Sequence, residues 1–127
     1  QSMDWQSVVA RRSKRDAPNA GGWNAFITSW VAADVLNPVG TAFLNSSCDK
    51  ASFGWPCDGK TEQLREAFPR ETDPAKRKSI AEQVQLRYIE IPTHVHLGQW
   101  YKPIAMRKNI DGMITAPVVV FWNIEKK

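Results

Sequence analysis

The sequence predicts an α/β chain, and three observations carry that prediction. Three segments place apolar residues at helical spacing beside capping signals. Between and after them lie stretches rich in aromatic and β-branched residues, as strands are. Clusters of Gly, Pro and Asn separate the two kinds.

Trp5, Val8 and Val9 follow helical spacing, with Asp4 early and the basic cluster Arg11 to Arg15 late, so a helix is expected over residues 3–14. The turn "DAPNAGG" follows, and "WNAFITSWVA", residues 23–32, reads as a strand. "DVLNPVGTAFLNSS" and the cysteine-bearing stretch after it form a long irregular region, and long ordered loops are more often functional than connective. "KTEQLREAF" predicts a helix that stops at Pro69. "DPAKRKSIAEQVQLRYIEI" predicts another, capped by Asp73, with Pro74 at its first position and a stripe of Ile80, Ala81, Val84, Tyr88 and Ile91. "THVHLGQWY" and "PIAMRKNI" read as strands before an Asp111–Gly112 turn. Val118 to Trp122 read as a strand buried on both faces.

At 127 residues and 43% apolar content, the chain has room for one ordinary domain with a hydrophobic core. No apolar run approaches the roughly 20 residues that cross a bilayer, and this segment shows no signal peptide. Its opening, "QSMDWQ", reads as the interior of a longer chain. The 17 basic and 13 acidic residues leave a net charge of +4, concentrated in "RRSKR". Without interleaved aromatic platforms that cluster reads as a solvated helix end, and nucleic acid is not an expected partner.

No signature of nucleophilic, metal-dependent or phosphate-binding catalysis occurs, so no catalytic residue and no cofactor is expected. Glu62, Glu66 and Glu82 are expected to face solvent. His94 and His96, two apart on a strand, share a face and with Cys48 and Cys57 would make a Cys2His2 set. The spacing matches no common zinc module, so no metal is expected and the histidines read as half-buried strand residues. Eight residues separate the cysteines, which excludes a redox C-x-x-C pair and leaves a disulfide or two free thiols. A closed loop of this size would stabilise the chain by about 2 to 3 kcal/mol.

Taken in order, "DWQSVVARR", "GWNAFITSWVAAD", "FGWP", "LREAF", "TDPAKRKSIAEQVQ" and "FWNIEKK" resemble the C-terminal portion of family 5 extracellular solute-binding proteins, the peptide, opine and nickel class of ABC-importer receptors. The resemblance implies part of a type II periplasmic-binding-protein-like fold, an incomplete two-lobe receptor without catalytic activity. Residues 1–91 would belong to the second ligand-binding lobe, and residues 92–127 to the return segment that completes the first. It implies a periplasmic location, a small peptide or peptide-like solute as ligand, and the membrane permease of an ABC importer as partner. In an oxidising compartment Cys48 and Cys57 are expected to form a disulfide.

Peptide-type receptors carry a W-x-A-D segment whose aspartate pairs with the ligand's amino group. Here the segment runs Trp30-Val31-Ala32-Ala33-Asp34, one residue longer, and Asp34 is the candidate. Trp30, Phe53 and Trp55 are the candidate aromatic walls, since rings hold varied side chains without exact polar matches. Trp5 and Trp100 read as packing residues. The rival reading is a stand-alone interaction domain with a basic surface. Strand edges left without partners after Pro92 predict self-association.

Overall fold

The computed structural model describes all 127 residues and shows three helices and a minimal antiparallel sheet. Helix α1 spans Trp5–Arg12, shorter at both ends than the expected 3–14. Asp4 sets its start, accepting hydrogen bonds from the Ser7 backbone N–H at 3.0 Å and hydroxyl at 2.6 Å. After it the chain reverses through a short 3-10 turn, Pro18–Ala20. Buried Gly22 closes that reversal: a Cβ there would lie 1.7 Å from the Asp16 carbonyl oxygen, so no other residue fits.

Helices α2, Gly59–Arg70, and α3, Pro74–Glu90, form the one packed helical hairpin. Leu64 and Val84 are its buried apolar contacts. Asp73 caps α3 by accepting from the Ala75 and Lys76 N–H groups, both at 2.9 Å, as its sequence predicts. Two sequence expectations are corrected here. Pro69 lies inside α2 rather than ending it, because a proline in the last turn removes only one donor before the helix stops. Of the expected α3 stripe only Val84 is fully buried, while Ile91 stays 42% exposed.

The tie between the two helices is polar. Asp58 caps α2, accepting from the Thr61 N–H at 2.9 Å and hydroxyl at 2.7 Å. The same carboxylate receives a two-pronged contact from Arg87 of α3, with Nε at 3.0 Å and Nη2 at 2.7 Å. The Arg87 and Thr61 hydrogen bonds hold the Asp58 carboxyl far below the usual carboxylate range. A depressed native value means that the ionised group stabilises the fold above the ordinary aspartate range near pH 4, and that this contribution fades as pH falls further. Urea unfolding at pH 4, 3 and 2 should therefore show the unsubstituted chain losing its advantage over Asp58→Asn. At neutral pH, Asp58→Ala is expected to cost about 1 to 2 kcal/mol through the lost cap. Parallel acid curves for the two proteins would refute the coupling.

The sheet consists of β1, Ile110–Asp111, and β2, Glu125–Lys126, paired antiparallel with Ile110 opposite Lys126. Asp111 also pairs with Lys127. The strands expected over residues 23–32, 93–101 and 118–122 are unpaired, and of the strand expected over residues 103–110 only Ile110 is paired. Their composition favours strands, but a strand exists only against a neighbour that accepts its hydrogen bonds. The consequence shows in the surface. The chain exposes 10159 Å², whereas a compact monomer of this mass exposes roughly 6,800 Å². Val95, Leu97, Trp100, Tyr101, Phe121 and Trp122 are each more than 60% exposed. Exposed apolar strand-like segments associate, so light scattering over a concentration series should show species heavier than the 14.4 kDa chain. A strict monomer at high concentration would refute this. No helix is long and apolar enough to cross a membrane.

Candidate functional site

A hollow of about 600 Å³ opens between the loop after residue 30 and the end of α2. It is lined by Trp30, Ala33, Asp34 and Asn37, by Val39 and Gly40, and by Phe68 and Pro69 of α2. A 3-10 turn over Ala32–Val35, closed by the Asp34 N–H donating to the Val31 carbonyl at 3.0 Å, brings Trp30 and Asp34 to the same hollow. Trp30 is half exposed and braced edge-on by Phe43, centroid to centroid 5.3 Å. Asp34 has neither an ion-pair nor a side-chain hydrogen-bond partner, although Arg and Lys residues are abundant. A mostly apolar hollow with one uncommitted carboxylate suits a group that is positively charged at one end and apolar along its length.

Part of the hollow's lining is a tight turn next to Asp34. Asn37 Oδ1 accepts from the Val39 N–H at 2.8 Å and the Gly40 N–H at 3.2 Å, and the Thr41 N–H donates to the Asn37 carbonyl at 3.1 Å. From behind, Arg65 of α2 donates to the Pro38 carbonyl at 2.9 Å and the Val39 carbonyl at 3.2 Å. Arg65 also pairs with Glu62 at 2.6 Å, and the same Glu62 oxygen accepts from the Ser46 N–H at 2.7 Å. Glu62 was expected at the solvent. Its side chain is only 25% exposed because it joins the cysteine loop to the wall of the hollow. The sequence signal for this pair is the i, i+3 spacing of Glu62 and Arg65.

Phe53 and Trp55 lie elsewhere. The Cys48–Cys57 disulfide is formed, with Cα atoms 4.1 Å apart, and the loop it closes packs on the end of α1. Arg12 sits over Phe53 at 4.4 Å and over Trp5 at 5.2 Å, while Arg15 sits over Trp55 at 4.4 Å and pairs with Asp49 at 2.6 Å. Trp23 adds a hydrogen bond from Nε1 to the Arg12 carbonyl at 3.0 Å, and its ring lies 6.4 Å from that of Trp55. The basic cluster is thus engaged with aromatic faces rather than only solvated, and the Arg12 Nε is buried without a hydrogen-bond partner. Trp5 and Arg12 are two helical turns apart on one face, which was the available sequence signal. The four residues expected around one ligand therefore divide into Trp30 with Asp34 and Phe53 with Trp55. Trp100, expected to pack, is 63% exposed, since the segment that carries it lies against no neighbour.

The histidines form a third group. His94 stacks on Tyr88 at 4.8 Å and Phe43 at 5.1 Å, with His96 at 4.8 Å. Its Nδ1 lies 3.0 Å from the Thr93 hydroxyl, and the Tyr88 hydroxyl donates to its carbonyl. Burial, then the neighbouring His96, holds the His94 ring below its ordinary value. Both cysteine sulfurs are consumed in the disulfide, so no thiolate joins the histidines.

The sequence is similar over nearly all of its length to the solute-binding component of an ABC transporter, which is the class its ordered motifs resemble. The relative is the probable peptide ABC transporter periplasmic-binding protein y4tO of Sinorhizobium fredii (strain NBRC 101917 / NGR234). The two are 35% identical over 123 residues, covering 97% of this chain. The chain spans 23% of that protein's length. No family model matches it.

Proposed function

We propose that this chain is the C-terminal part of an extracellular solute-binding protein that captures peptides or related amine-bearing solutes in the periplasm and delivers them to the permease of an ABC importer. The similarity across 97% of the chain to a peptide transporter's binding protein carries this reading. Residues 1–91 then belong to the second lobe of a type II periplasmic-binding-protein-like fold, and residues 92–127 return to complete the first. The unpaired strand-like segments after Pro92 support that division, because their missing neighbours would lie in the other lobe.

In this reading Asp34 answers the ligand's ammonium and Trp30 supplies an apolar wall. Phe53 and Trp55 act at a distance, holding α1 through Arg12 and Arg15, and meet ligand only if the closed receptor brings the loop to the cleft. The protein binds and releases its solute without altering it. The test is titration with the dipeptide Ala-Phe and its N-acetyl form, followed by amide chemical shifts. Shifts around Trp30 and Asp34 with the free amine, and weaker ones with the acetylated form, are expected. Equal responses to both would remove the amine-binding role.

A further inference from the structure

We propose that Arg65 is the positioning residue of the ligand hollow, the side chain that fixes the Pro38–Gly40 turn that lines it next to Asp34. This rests on the reading of the hollow as the solute site. Three observations carry it. First, the Arg65 side chain is only 10% exposed, and its donors go to two successive wall carbonyls and to Glu62. A planar guanidinium spans two adjacent carbonyls in a way that no other side chain reproduces. Second, outside Arg65 the turn's hydrogen bonds are internal. Its own N–H groups fold inward onto Asn37, so the turn is a compact unit that could shift as a whole if its outer anchor were lost. Third, the turn lies close to the one that carries Asp34: a Cβ built on Gly40 would come within 3.6 Å of the Asp34 carbonyl oxygen. A shift of this turn would therefore change the space beside Asp34.

Glu62 extends the device. By pairing with Arg65 and accepting the Ser46 N–H it aligns the guanidinium and connects the wall to the mouth of the disulfide loop, where the Asp58 N–H donates to the Ser46 carbonyl at 3.0 Å. The width of the hollow, and hence the bulk of the first side chain it accepts, is set from α2 rather than by the loop alone.

The test uses the isotope-labelled chain with Arg65→Lys and Arg65→Met. Lysine keeps a charge beside Glu62 but reaches only one carbonyl. Solvent exchange of the Val39, Gly40 and Thr41 amides, measured without ligand, is expected to speed up by roughly tenfold in both variants, the scale of losing charge-assisted hydrogen bonds. Protection in the middle of α2 and α3 should stay unchanged. Ala-Phe titration should show binding weakened by a similar factor. Unchanged exchange at residues 39–41 in Arg65→Met would overturn the proposal, and so would a parallel loss of protection in the helices, which marks a general support of the fold. Failure of the unsubstituted chain to respond to Ala-Phe would instead remove the solute-site reading, while the ligand-free exchange still decides the role of Arg65 in the wall.

Discussion

In a full-length receptor of the proposed kind, Asp34→Asn is expected to weaken binding of an amine-bearing dipeptide by about 2 to 5 kcal/mol, the cost of removing one partner of a buried charge pair. In the 127-residue chain the same substitution should cost about 1 kcal/mol or less, as exposed ion pairs do. The difference arises because the hollow here is open on one side and Asp34 faces water. A second lobe closing over it would remove that water and raise the value of the pair. Calorimetric titration of both proteins with Ala-Phe and N-acetyl-Ala-Phe separates the contributions. The asparagine variant should lose its preference for the free amine and keep its affinity for the acetylated form. Unchanged affinity for the free amine in the full-length protein would demote Asp34 to an ordinary loop residue.

Removing the Cys48–Cys57 bridge, by reduction or as Cys48→Ser with Cys57→Ser, is expected to lower stability by about 2 to 3 kcal/mol, the chain-entropy contribution of a short closed loop. The structural consequence should exceed the local one. The loop carries the two rings on which Arg12 and Arg15 rest, and its last residue precedes Asp58, the cap of α2 and the partner of Arg87. Loosening it should release α1 and weaken the start of the helical hairpin together. Denaturant unfolding with and without a dithiol reductant measures the first effect, and amide exchange in α1 and the first turn of α2 the second. Superimposable unfolding curves would sink the prediction. Alkylation without reductant should add no mass to protein from an oxidising compartment, and two alkylated thiols there would refute the pairing.

The local signals in this sequence were legible where a few neighbouring residues carry the whole interaction. Asp73 followed by Pro74 marks the start of α3 because capping requires only the side chain and the two N–H groups after it. Cys48 and Cys57 lie close in sequence, so their pairing needed only a turn and an oxidising compartment. A short 3-10 turn, Ala32–Val35, carries Asp34 to the hollow that Trp30 also lines.

What the residues of one segment determined by themselves were the three helical segments and the Asp73 cap of α3; the disulfide required an oxidising compartment as well, and Trp30 and Asp34 were read together only through the family resemblance. What only the tertiary structure decided were the contacts between segments remote in sequence. Arg87 reaches Asp58 across 29 residues, Arg65 reaches Pro38 across 27, and Arg12 and Arg15 settle on rings some forty residues away. Long flexible cations read as solvated in a sequence because their charge suggests water; whether a carbonyl, a carboxylate or an aromatic face meets them depends on how the chain folds back. The strands failed for the complementary reason. Residues 23–32 and 118–122 have strand composition, but strand structure belongs to a pair of segments, and their own residues cannot supply the second one.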